Sequence, residues 1–336
     1  MRIAIAGAGY WGANLIRVFY EMGVLHRVCD FSAQRLEQLA QKYPGVLMET
    51  SYEAVLDDST IDAVVIATPA ESHYTMARQA LMAGKDTFVE KPLTLRCDEA
   101  EKLIALAENL NRILMVGHLL EYHPAVTRLK ELIEQGELGR IEYIYSNRLN
   151  MGKVRQEENA LWSFAPHDIS VILLLLNQLP IQVTATGGTY LQPNIADVTV
   201  STMLFNRGVR AHLFVSWLHP YKEQKLVVVG EHRMAVFDDV RKTEKLQIYE
   251  KKIGLVNGQF VAEKPAARAV EFQPDEPLLL ECRHFLECVE SRRTPKTDGN
   301  DGWRVLRVLE ASQRSLSMNG EPVQLEPARS MAVVRG

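Results

Sequence analysis

Gly7-Ala-Gly-Tyr-Trp-Gly12 stands between a short apolar run, Arg2-Ile-Ala-Ile-Ala6, and a stretch that reads as a helix to about Met22. Glycines at this spacing constrain the fold when a strand precedes them and a helix follows. Gly7 permits the tight turn, Gly9 lets backbone approach a pyrophosphate, and Gly12 lets the helix pack close to the sheet. The helix N-terminus then faces the phosphates. Asp30 ends the next strand, Leu25 to Cys29, where a carboxylate accepts hydrogen bonds from both ribose hydroxyls and repels a 2′-phosphate. The combination points to NAD rather than NADP.

The alternation continues. Ala33 to Tyr43 and Tyr52 to Asp57 read as helices, Ala63 to Ala67 as a strand ending at Thr68-Pro69, and Glu71 to Ala83 as a helix closed by Gly84. A buried run, Thr87 to Val89, ends in Glu90-Lys91-Pro92. Parallel strands end in this way at a ligand crevice, and an X-Pro bond at such a corner is a candidate for the cis form. Arg96 to Asn111 is a helix and Ile113 to Gly117 a strand ending at His118. Right-handed crossovers between such units give a doubly wound parallel sheet. Thr68, Pro69 and Lys91 then share one edge with Gly7 to Gly12, and His73 stands in the first turn beyond Pro69.

Glu121 to Gln135 is amphipathic, and beyond it the texture changes. Ile141 to Asn147, Ile181 to Thr186, Ala196 to Phe205, Val209 to Trp217, Lys225 to Val229 and Lys245 to Tyr249 read as strands, several of them alternating. A large open antiparallel sheet fits, with a helix from Pro166 to Gln178 inserted early. Helices from Leu278 to Glu290 and from Asp301 to Met318 close the chain. The expected organisation is therefore an α/β domain over 1–120, joined by the helix at about 297–318, an α+β domain over 121–296, and a tail over 319–336. One face of the second sheet is left for a partner subunit, with Val198, Val200 and Met203 on it, so a homo-oligomer is expected.

At 336 residues, 47% hydrophobic and 24% charged, the chain is long enough for two domains. A formal net charge of -4 with no basic run argues against nucleic acid, and no apolar run is long enough to cross a bilayer. Met1 leads straight into a strand, leaving no room for a signal peptide, so a cytoplasmic protein is expected. Cys29, Cys97, Cys282 and Cys288 are scattered; Cys282, His284 and Cys288 lack a fourth ligand nearby, and no metal is expected.

With these residues in view, the chain resembles the Gfo/Idh/MocA family of sugar and polyol oxidoreductases. The resemblance is carried by Gly7-Ala-Gly-Tyr-Trp-Gly12, Ala67-Thr-Pro69 with His73, Glu90-Lys-Pro92, Pro166-His-Asp-Ile169, and Thr297-Asp-Gly-Asn-Asp-Gly-Trp303 before Val305-Leu-Arg-Val-Leu-Glu310. It implies that Lys91 lies beside the nicotinamide and the substrate hydroxyl, with His167 as acid or base. Tyr10, Trp11, Glu90 and His118 join the cofactor-binding set on the same ground. The chain departs from the family at Ser163, where many members carry an aspartate four residues before that histidine. Serine does not supply that charge.

Within the family, Asn147-Arg-Leu-Asn150 and Gln156-Glu-Glu-Asn-Ala-Leu-Trp-Ser-Phe-Ala-Pro-His-Asp-Ile169 look like the subgroup that oxidises nucleotide-linked amino sugars. The resemblance implies a UDP-sugar substrate, UDP-N-acetylglucosamine oxidised at its 3-hydroxyl. The 3-keto product would pass to a PLP aminotransferase in lipid A diamino-sugar synthesis. Arg148, Asn150, Arg155, Trp162 and Asp168 then join Lys91 and His167 on the substrate side, Arg148 and Arg155 with Lys153 as cations for a diphosphate. Other readings of the same residues are an NAD(P)-dependent sugar or inositol dehydrogenase or ketoreductase, and a non-catalytic NAD-binding sensor.

Overall fold

A computed structural model describes residues 1–263 and 265–326. The last part of the expected tail, 327–336, lies outside the described residues. Two compact units result: Met1–Pro124 with Gln273–Leu306, and Ala125–Phe272 with the chain from Arg307.

The first unit opens as β1 (Ile3–Ala6), α1 (Gly12–Glu21), β2 (Leu25–Cys29), α2 (Ala33–Lys42), β3 (Leu47–Glu49), α3 (Tyr52–Asp57), β4 (Ala63–Ile66), α4 (His73–Met82), β5 (Asp86–Glu90), α5 (Cys97–Asn109) and β6 (Leu114–Gly117). The six strands are ordered β3-β2-β1-β4-β5-β6, and every pair is parallel. β1, β4, β5 and β6 are buried at every position, which is why they read as unbroken runs rather than as alternating ones. Ser32 and Ser51 cap α2 and α3 by accepting from the backbone N–H of Arg35 and Ala54. Strand order reverses between β1 and β4, and a ligand crevice forms outside the strand ends at such a point.

In the second unit, after α6 (Pro124–Glu134), β7 (Ile141–Met151) leads to α7 (Ala160–Leu176). β8 (Gln182–Gly188), β9 (Val198–Leu204), β10 (Arg210–Ser216), β11 (Leu218–Gly230), β12 (Arg233–Asp238) and β13 (Leu246–Glu250) follow. Then come β14 (Ile253–Val256), β15 (Gln259–Ala262) and β16 (Ala267–Ala269). Among the described residues the sheet has nine strands, not six, with β7 and β10 parallel and the remaining pairs antiparallel. α7 packs on β7, β9 and β10. It begins at Ala160, ahead of the expected Pro166, because Asn159 accepts the Trp162 N–H as its N-cap and the helix tolerates Pro166 inside it. Burial alternates along β9: Thr199, Ser201 and Met203 are buried while Val200 is 43% exposed. Met203 therefore belongs to the covered face, a correction to its placement with Val198 and Val200.

α8 (Pro277–Ser291) starts with Pro277 in its first turn and packs in the first unit, where Phe285 meets Phe88 of β5 at 5.6 Å between ring centres. It was expected with the second domain. α9 (Gly299–Ser317) divides between the units after Leu306, and β17 (Val323–Gln324) adds to β8. Among the described residues, no helix is long and apolar enough to cross a membrane.

Candidate active site

Gly7 takes φ +96°, and a Cβ there would stand 2.6 Å from the Ala67 carbonyl. A Cβ on Gly12 would collide with the Gly7 carbonyl, so the turn closes tightly only with glycine at both positions. Gly9 differs: a Cβ there meets nothing within 4 Å, which leaves open space above the start of α1. Asp30, 5% exposed, is tied to this turn because Ala8 donates its N–H to Oδ2 at 2.8 Å, while Ser32 donates to Oδ1 at 2.9 Å. Arg35, not foreseen, donates Nη1 to both carboxylate oxygens at 3.0 and 2.9 Å. Its cation offsets part of the charge that a 2′-phosphate would meet. Tyr10 and Phe31 flank the turn, 93% and 87% exposed.

β5 ends at Glu90, and the Lys91–Pro92 peptide is cis. Glu90 is 8% exposed and accepts hydrogen bonds from Trp11 Nε1 and from the Lys91 N–H. Burial pushes its carboxyl up to about 7 against the lowering pull of the Trp11 donor and the Lys91 charge. Its carboxyl lies over Gly117 of β6, where a Cβ would come 2.9 Å from Oε2. Lys91 itself is half-buried. At the end of β4, Thr68 Oγ1 and Ser72 Oγ share a hydrogen bond of 2.7 Å, and Pro69 is exposed.

His73 and His118 are both buried. His73 is 1% exposed, with Nδ1 2.7 Å from the Pro92 carbonyl and Nε2 2.9 Å from that of Thr68. Burial holds its pKa below the ordinary value despite the two carbonyls, and a neutral ring donates its single N–H to one of them. His118 is 2% exposed, and its Nδ1 pairs with Asp301 Oδ2 at 2.6 Å. Glu121 brings an oxygen within 4.8 Å of both. His118 and Asp301 are joined directly by this hydrogen bond. Cys288 Sγ meets His284 Nε2 at 3.4 Å, and that nitrogen also accepts the Lys296 N–H.

In the second unit, His167 is half-buried on α7, and its carbonyl accepts the Ser170 hydroxyl at 3.0 Å. Asp168 turns elsewhere: it takes Arg148 Nε at 2.6 Å and the Ser146 hydroxyl at 2.7 Å. Arg148 is only 9% exposed. Its charge is paired with Asp168. Trp162 Nε1 donates to Gln313 at 3.1 Å, Asn150 is half-buried on β7, and Arg155 pairs with Glu157 and Glu158, each at 3.3 Å. Lys153 is exposed.

Residues 1–118 match the oxidoreductase family with an NAD-binding Rossmann fold, and residues 126–236 match the GFO/IDH/MocA C-terminal domain. The chain belongs to the Gfo/Idh/MocA family. Membership makes it an NAD-dependent oxidoreductase, and the first unit suits the cofactor: open space at Gly9, the start of a helix, and a carboxylate at the end of β2. The chain is 29% identical over 314 residues to a UDP-N-acetylglucosamine 3-dehydrogenase from Acidithiobacillus ferrooxidans, covering 91% of this chain and 94% of that one. A solved structure of that enzyme aligns with a TM-score of 0.84 at 28% identity, over 95% of this chain and 98% of that one. A scyllo-inositol 2-dehydrogenase (NAD(+)) from Bacillus subtilis is 28% identical over 352 residues, covering 98% of each chain.

Proposed function

We propose that the protein oxidises a ring hydroxyl with NAD, and that its substrate is a nucleotide-linked amino sugar, UDP-N-acetylglucosamine at the 3-hydroxyl. The observation that carries the reading is the ending of β5 in Glu90, with Lys91 next, on the same sheet edge as the Gly7–Gly12 turn. The relative from Acidithiobacillus ferrooxidans supports the sugar assignment. NAD, when bound, supplies the hydride acceptor for the hydrogen on C3. The Lys91 ammonium stabilises the alkoxide charge that develops on O3. His167 takes the O3 proton, a task that suits imidazole near neutral pH. On this reading the 3-keto product goes to a PLP aminotransferase, and the protein works as a homo-oligomer. Val200 and Tyr143, 43% and 41% exposed, are the apolar side chains a second copy would cover.

A cyclitol substrate is the second reading, favoured by the match to the inositol dehydrogenase over nearly the whole chain. Incubating the pure protein with NAD and either UDP-sugars or inositols, while following reduced nicotinamide in single-turnover mode, separates the two. Reduction with inositol and none with UDP-sugars would overturn the nucleotide-sugar assignment.

A further inference from the structure

Four carboxyl groups of the first unit interact: Glu121 brings an oxygen within 4.8 Å of one of Asp301, and Glu281 lies within electrostatic reach of Glu90 and Glu121. Glu90 ends β5, Glu121 lies on the turn after β6, Glu281 on α8 and Asp301 on α9. Glu121 and Glu281 are 1% and 0% exposed, and neither carboxyl oxygen of Glu281 has a hydrogen-bond partner among the described residues. Carboxyls that interact out of water do not all ionise, because each charge loses its hydration and repels the next.

The groups around Glu90 favour one order of titration. Burial, then the charges of Glu90 and Glu121, hold the Glu281 carboxyl well above the usual range. Burial and Asp301 do the same to Glu121, despite Lys296 and Arg304. Cys282, beside Glu281 on α8, stays a thiol for the same reasons. His118 is engaged by Asp301, and the neutral His73 ring donates its one N–H to a backbone carbonyl. Glu90 alone has both an indole donor and an adjacent ammonium group, so it is the first of the buried glutamates to give up a proton.

Strand order then says what Glu90 meets. Asp30 at the end of β2 suits the adenosine ribose and the β1–α1 turn suits the pyrophosphate, so the rest of a dinucleotide runs toward the ends of β4, β5 and β6. That half carries a positive ring when oxidised and a neutral one when reduced. We propose that Glu90 releases its proton to solvent when oxidised cofactor binds and keeps it when reduced cofactor binds, while Glu121 and Glu281 remain neutral. Glu90 thereby discriminates between the two redox states. The proposal rests on the NAD reading and not on the sugar.

Calorimetric titration of the full chain with NAD+ or NADH, in buffers of different ionisation enthalpy from pH 5.5 to 8.5, tests it. The NAD+ affinity should rise up to about tenfold per pH unit below the Glu90 midpoint and level off above it, with up to one proton released. NADH should bind with a flat profile. Glu90→Gln should abolish the NAD+ slope, and Glu281→Gln should retain it. A difference infrared spectrum of the native protein gives a reading independent of any variant: a carboxylic acid C=O band should disappear with NAD+ and persist with NADH. Equal slopes for the two nucleotides, a slope that survives Glu90→Gln, or a slope lost in Glu281→Gln overturns the proposal. Failure of both nucleotides to bind would overturn the cofactor reading with it, whereas inactivity toward every UDP-sugar would leave it standing.

Discussion

Trp11 donates its indole N–H to the Glu90 carboxylate across 79 residues of sequence, joining the glycine turn to the end of β5. The bond gives a buried acid one of its two donors among the described residues, the Lys91 N–H being the other. Trp11→Phe keeps the ring and removes the donor. Its expected cost is about 1–3 kcal/mol of stability in urea unfolding, the usual range for leaving a buried acceptor unsatisfied. The Glu90 midpoint should move upward, which carboxyl-resolved NMR titration reads directly.

Asp30 and Arg35 set the choice of nucleotide. Asp30→Ala should narrow the preference for NAD over NADP, because it removes the carboxylate that would bond the ribose diol. Arg35→Ala should widen the preference by about tenfold, the worth of one charge-assisted contact, since a bare Asp30 repels a 2′-phosphate more strongly. Dissociation constants for both nucleotides check the pair. An unchanged ratio in Arg35→Ala would mean that its cation serves the fold alone.

The Arg148–Asp168 pair is buried on both sides, with side chains 10% and 5% exposed. Removing either partner leaves an uncompensated buried charge, and Arg148→Leu or Asp168→Leu should each cost about 3–5 kcal/mol. The double variant should recover much of that loss. Chemical denaturation of the three proteins measures the coupling, and strictly additive losses would refute it.

Much of the cofactor half was legible because its signals are local. The glycine turn, Asp30 at a strand end and the Lys91–Pro92 corner each lie within a few residues of what they determine. What was missed is non-local or lacks an apolar pattern. β14 and β15 are exposed at every position, so no burial period marks them, although their Asn257–Gly258 turn, at φ 50° and 77°, was a readable hairpin signal. Arg148 and Asp168 pair from a strand to a helix, and helix spacing alone says nothing about a partner on a sheet. Glu281 did leave a trace: it follows Leu278 by three positions and precedes Phe285 by four, on the buried stripe of α8.

That stripe makes a pH prediction. The carboxyl of Glu281 is held above its unfolded value, so the folded protein binds the extra proton. Its contribution to stability is full below about pH 4.5 and is lost as pH rises toward the folded midpoint. Glu90 behaves alike, with a window from 4.5 to about 7 and a swing on the order of 3 kcal/mol. Glu281→Gln has no proton to lose. Relative to the native protein it should gain stability as pH rises from 5 to 8 in urea unfolding. A difference that stays constant with pH would mean that Glu281 titrates normally.

Lys91 and His167 are separable by what each does to binding and to rate. If Lys91 contacts the hydroxyl before reaction, Lys91→Ala should weaken sugar binding as well as slow hydride transfer. His167→Ala should act mainly on turnover, because proton removal matters most in the transition state. His167→Ala should bind NAD nearly as the native protein does, Lys91→Ala should bind oxidised NAD more weakly because Glu90 loses its neighbouring cation, and hydride transfer should slow by roughly two to four orders of magnitude in each, the span of a positioned acid or base. Alcohol oxidation by NAD is uphill near neutral pH, so the measurement is a single turnover with enzyme in excess, or a steady state drawn forward by a glutamate-dependent aminotransferase. UDP-N-acetylglucosamine deuterated at C3 reports whether hydride transfer limits the rate. A His167→Ala protein that turns over at the native rate while showing the full isotope effect would remove His167 as the base and leave Lys91 to carry the proton.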